Sequence, residues 1–96
     1  MSKLFTPVQI GPLKLENRLV VAPMAQYSAT QGAHGDWHRV HLAALANSGA
    51  GLVMIEMTSP THEGRCSHGD CSLHDERTEA ALAATVALMK SVGTAR

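Results

Sequence analysis

The chain has 96 residues, enough for one small domain, and its eight basic side chains balance eight acidic ones. With 45% apolar and 17% charged residues it is too apolar for a disordered tail, and it has no basic excess for binding nucleic acid through charge. No apolar run reaches the roughly 18 residues of a membrane span, and the N-terminus lacks a signal-peptide pattern, so the expected location is the cytoplasm, with no membrane partner.

The first element expected in chain order is a β-hairpin. Val8 to Ile10 and Leu13 to Leu15 flank Gly11-Pro12, a turn signal. Leu19 to Ala22 is a short continuous apolar run closed by Pro23, which predicts a strand buried on both faces. Met24 to Asp36 has no period and reads as a long loop, a feature that often carries function. Asp36 is placed to cap a helix starting at Trp37, with Leu42, Leu45 and Ala46 at helical spacing and Gly49 as the stop.

Leu52 to Ile55 predicts a second buried strand, and Thr58 to His74 a second long irregular loop. Asp75 caps a second helix with Glu76 and Glu79 at its start, Lys90 near its end, and Leu82, Val86, Met89 and Gly93 on one stripe. Strands alternating with helices predict a parallel α/β sheet, with both long loops at the C-terminal ends of strands, where such folds bind ligands. Two strands make a poor sheet, and aromatics are only Phe5, Tyr27 and Trp37, so packing bulk is expected from a larger body. Otherwise another copy of the chain covers the open edges, which leaves a homo-oligomer open.

Asn17-Arg-Leu-Val-Val-Ala-Pro-Met-Ala-Gln-Tyr-Ser28, with the opening Leu4-Phe5-Thr6-Pro7, resembles the N-terminus of the Old Yellow Enzyme family. These are FMN-dependent NAD(P)H oxidoreductases. Gly49 to Thr58 and Glu63-Gly64-Arg65 resemble that family's second strand and loop, so the likeness covers essentially the whole chain. The details are similar to the bacterial, thermophilic-like branch or to the flavin domains that act with aromatic acyl-CoA hydroxylases.

The resemblance implies a (β/α)8 TIM barrel, of which residues 1–96 would be the N-terminal portion: a hairpin and the first two βα units. It implies FMN as cofactor and NADPH or NADH as reductant. Hydride would pass from flavin N5 to an α,β-unsaturated carbonyl compound, an enone or acyl-CoA-type substrate. Ala22, Pro23, Met24 and Ala25 match the family segment beside the flavin ring, Met57 a backbone contact to the flavin, and Tyr27 a substrate-binding phenol. Small residues at a strand end suit the approach of a flat ring. Ala25 stands where many relatives carry Cys or Thr, so no side chain polarises the flavin there. No catalytic residue is expected within these 96 positions. The proton-donating tyrosine, the carbonyl-holding histidine pair and the phosphate loops of the family would lie beyond them, and this chain alone would not turn over.

A rival reading takes His62, Cys66, His68, Cys71 and His74, five metal-ligand types within 13 residues, as a small metal-binding or redox module. Their Cys-x4-Cys spacing is not a usual zinc pattern, and two cytoplasmic thiols should stay reduced. His38 and His41 on the first helix read as surface or helix–sheet packing residues.

Overall fold

A computed structural model describes residues 2–96. Strands β1 (Val8–Ile10) and β2 (Leu13–Leu15) pair antiparallel about Gly11, which takes φ 57, a value glycine reaches without strain. Strand β3 (Val20–Val21) pairs parallel with β4 (Leu52–Val53), Val20 opposite Leu52 and Val21 opposite Val53. Helix α1 (Asp36–Ala46) connects them. Two further short strands, β5 (Thr58–Ser59) and β6 (Cys71–Ser72), pair parallel, and helix α2 (Glu76–Val92) ends the chain's regular structure.

The core lies between the two helices and the β3–β4 pair, with Leu42, Ala46, Ala50 and Val53 buried. Thr78 and Thr85 are the buried residues of α2. The predicted stripe of Leu82, Val86, Met89 and Gly93 is half-buried, because it faces an open cleft. Val86, Met89 and Gly93 line about 430 Å³ of it with Val53, Ile55 and Arg96. Beyond α2 the chain returns to the sheet. The Arg96 N–H donates to the Gly51 carbonyl at 3.1 Å and its carbonyl accepts from the Val53 N–H at 2.9 Å, as a neighbouring strand would.

Four expectations need correction. The β3 and β4 runs are not buried on both faces: Val20 is 49% and Met54 48% exposed, because nothing among the described residues covers the face away from the helices. Asp36 does not cap α1 but is its first residue; Gly35 is the N-cap, and its N–H donates to His38 Nδ1 at 3.1 Å. Asp36 instead pairs with Arg39 one turn on. The stop of α1 is Asn47, with Gly49 at φ 97 in the turn that follows. The stretch 58–74 is not wholly irregular, since β5 and β6 pair within it.

The cap of α2 is as expected. Asp75 Oδ1 accepts from the Thr78 N–H at 2.8 Å, and Thr78 Oγ1 accepts from the Asp75 N–H at 3.1 Å. The Thr78 N–H and the Thr78 hydroxyl, each 2.8 Å from Asp75 Oδ1, hold the Asp75 carboxyl below its ordinary range. Among the described residues, no helix is long and apolar enough to cross a membrane.

Candidate functional site

Because β3 and β4 are parallel and in register, the segments that follow them leave the sheet at the same end. The Met54 N–H donates to the Val21 carbonyl at 3.0 Å, which carries the pairing one residue past β4. Residues 22–25 follow β3 and residues 54–57 follow β4. Ala22, Pro23, Met24, Ala25, Met57 and Tyr27 are all exposed there. The structure thus brings the sequence-predicted binding residues together as an open, largely apolar surface at the C-terminal end of a parallel pair. Among the described residues, the N–H groups of Ala25 and Met57 have no hydrogen-bond partner, so the surface keeps free donors.

Gln26 fixes the loop that carries this surface. Its side-chain N–H donates to the Met24 carbonyl at 3.0 Å, its Oε1 accepts from the Trp37 indole N–H at 3.0 Å, and its backbone N–H donates to Glu56 Oε1 at 3.2 Å. Tyr27 follows with φ 54, in the left-handed region that non-glycine residues rarely adopt. The loop before β6 supports it from beside. Gly69 lies so close that a Cβ there would collide with the Tyr27 backbone, and its carbonyl accepts from the Ala29 N–H at 3.0 Å. The Arg77 guanidinium, at the start of α2, donates to the carbonyls of Thr30 and Gln31.

Next to this loop is a buried polar cluster that sequence reasoning missed. Glu56, His38 and Cys71 are all buried. Glu56 Oε1 accepts from the Cys71 thiol at 3.4 Å and lies 3.7 Å from His38 Nε2. Its Oε2 has no partner. Burial, reinforced by the Glu56 carboxylate, pushes the Cys71 thiol up to about 12, so it stays protonated and unreactive. His34 stacks on His38 with ring centroids 4.5 Å apart, and its Nδ1 meets Thr85 Oγ1 at 3.1 Å. Burial lowers the His34 pKa to about 4, so the ring is neutral. Burial also lowers His38, against the opposing pull of Glu56.

Of His62, Cys66, His68, Cys71 and His74 the structure brings the rings of His62 and His74 edge to face, 5.2 Å apart, but does not gather the five. Cys66 and His68 are exposed, His62 Nε2 accepts from Arg65 at 3.0 Å, and His74 bonds Ser72 Oγ at 2.8 Å. Among the described residues one set of three donors lies within 4.8 Å, namely His38, Glu56 and Cys71. Its spacing suits a tetrahedral ion, but its chemistry does not. His38 Nδ1 already accepts the Gly35 N–H, so in the neutral ring Nε2 carries the proton and offers no lone pair. The trio is a hydrogen-bonded cluster. His38 is a packing residue, and His41 is half-buried under Trp37, their rings 6.4 Å apart.

The chain is similar to known proteins along nearly its whole length. The family described as "NADH:flavin oxidoreductase / NADH oxidase family" matches residues 3–94. An NADPH dehydrogenase of Geobacillus thermodenitrificans is 36% identical over 94 residues, 96% of this chain and 28% of that protein. An NADH:flavin oxidoreductase of Gibberella zeae is 40% identical over 75 residues, 78% of this chain and 18% of that protein. Among solved structures, morphinone reductase in complex with tetrahydroNAD superposes with a TM-score of 0.86 at 25% identity, over 97% of this chain and 25% of that one. An Old Yellow Enzyme from Pichia superposes at 0.87 with 22% identity, over 96% and 24%, a likeness of fold. The chain therefore spans only 18% to 28% of the length of these proteins, and over that span it belongs to the NADH:flavin oxidoreductase / NADH oxidase family.

Proposed function

We propose that this chain supplies one wall of an FMN site in an oxidoreductase that uses NADPH or NADH to reduce α,β-unsaturated carbonyl compounds. The observation that carries this reading is the exposed surface of Ala22, Pro23, Met24, Ala25 and Met57 at the ends of two paired parallel strands. It fits a flavin by the chemistry of its groups. Small and flexible apolar side chains admit a flat ring, and the free N–H groups of Ala25 and Met57 are donors for its polar edge. When bound, FMN would accept a hydride from the nicotinamide and pass it to the β-carbon of the substrate.

The chain's own part is to bind and orient. Pro23 offers a carbonyl and no donor, and its ring fixes its own φ. Ala25 contributes no polar side chain, so any polar contact it makes to the ring is through the backbone. Tyr27 is 69% exposed, and its phenol is free to hydrogen-bond a carbonyl ligand. In the barrel we propose, β3 and β4 would be its first two strands and the β1–β2 hairpin would close its base. The bare faces of β3 and β4 would be covered by further strands or by a second copy of the chain. Cys66 and Cys71 are both free thiols, which fits a cytoplasmic enzyme.

The test is spectroscopic. Protein produced from its complete reading frame is expected to carry a visible flavin spectrum that NADPH or NADH bleaches without oxygen and an enone restores. The variant Y27F is expected to weaken enone affinity about tenfold while leaving bleaching unchanged, the loss of one hydrogen bond to a carbonyl. Colourless protein that takes up no FMN would contradict the proposal.

A further inference from the structure

We infer that Glu56 is a positioning residue that sets the spacing between the two halves of the proposed flavin wall. The inference rests on the reading of residues 22–25 and 57 given above. Glu56 immediately precedes Met57 on the segment after β4, and its Oε1 accepts the backbone N–H of Gln26, the residue immediately after Ala25. One carboxylate oxygen therefore spans the two strand ends just where the sheet's own pairing has stopped. The same oxygen is held in turn by the Cys71 thiol at 3.4 Å, from β6, whose sulfur meets His38 Nε2 of α1 at 3.6 Å.

The identity of the residue argues for placement over packing. A carboxylate that is 4% exposed with Oε2 unpartnered is expensive to bury, and an apolar side chain of similar size would fill the site at lower cost. What an apolar side chain cannot do is accept the Gln26 amide. Without that acceptor the 24–27 loop loses its tie to β4. Its remaining side-chain bonds run to the Met24 carbonyl and from the Ser28 hydroxyl to the Gln26 carbonyl, both local to the loop, and to Trp37 on α1.

Three variants of the full-length protein separate geometry from charge. E56Q keeps an acceptor where Oε1 stands but removes the charge. E56D keeps the charge but withdraws it by about 1.5 Å, one carbon–carbon bond. E56A removes both. Two readouts are taken: hydrogen exchange of the Gln26 amide without FMN, and FMN affinity by titration. Positioning predicts that E56Q protects Gln26 and binds FMN within about twofold of wild type. E56A and E56D should expose Gln26 and weaken FMN about tenfold, as when a supporting residue is lost. If E56D behaves as wild type while E56Q fails, charge matters and the inference is wrong. An E56A protein that melts at lower temperature but binds FMN normally would make Glu56 merely structural and also overturn it. Should E56A not fold, the E56Q and E56D pair still decides. A wild-type protein that does not bind FMN removes the flavin reading, and with it this inference. An unchanged affinity in E56A, when wild type binds, removes the inference alone.

Discussion

His34 has one ring nitrogen bonded to Thr85 and the other, Nε2, buried without a partner. Its pKa is about 4 in the folded chain against 6.5 when free, so between those values the unfolded state takes up a proton that the folded state refuses. Stability is therefore full above about pH 6.5 and falls as pH drops toward 4. His38, lowered in the same direction, adds to the fall. The substitution His34→Asn keeps a hydrogen-bonding group where Nδ1 meets Thr85 and removes the titration. Chemical denaturation of H34N across pH 4 to 7 is expected to show a shallower loss than wild type; parallel profiles would contradict the assignment. None of this was legible in the sequence. His34 stands in an aperiodic loop, and only the packing of that loop against α2 buries it. Glu56 did leave a trace: a single acid at the end of an apolar run, between Ile55 and Met57.

The elements were legible where a local signal specified them. Gly11-Pro12 marked the hairpin, Asp75 followed by Glu76 and Glu79 marked the start of α2, and the apolar runs marked β3 and β4. The pair β5–β6 was not, because two residues per strand leave no periodicity to read. Yet that pair buries Cys71 and brings it to Glu56. The start of α1 was misplaced by one residue because His38, and not an acidic side chain, accepts the N-cap N–H. Leu42 anchors α1 in the core at 2% exposed. L42A is expected to destabilise the fold by about 3 kcal/mol, the usual cost of such a truncation, measured by urea unfolding. A loss below about 1 kcal/mol would mean that α1 is not packed as described.

At the scale of the molecule, the chain is more open than its length requires. Its radius of gyration is 14.4 Å, where a compact domain of this length would have about 12.5 Å. Its accessible surface is 6033 Å², against about 5,300 Å² for a folded monomer of its mass. The excess accompanies the bare faces of β3 and β4 and the cleft between α2 and β4. The low aromatic content pointed the same way, since the chain has little bulk with which to fill that cleft. Arg96, bonded to Gly51 and Val53, already occupies the edge of β4 where a further strand would add. These open faces and the aligned strand ends are what the proposed flavin site requires, a sheet whose C-terminal end is left uncovered.

The most direct measurement is an FMN titration of the full-length protein, followed by quenching of flavin fluorescence, for wild type and for A25W. Ala25 is exposed, so an indole there leaves the core intact and covers the surface between the two strand ends. The account predicts saturable binding of one FMN by wild type and at least about tenfold weaker binding by A25W, with unfolding temperatures alike. Equal binding by both proteins would contradict it.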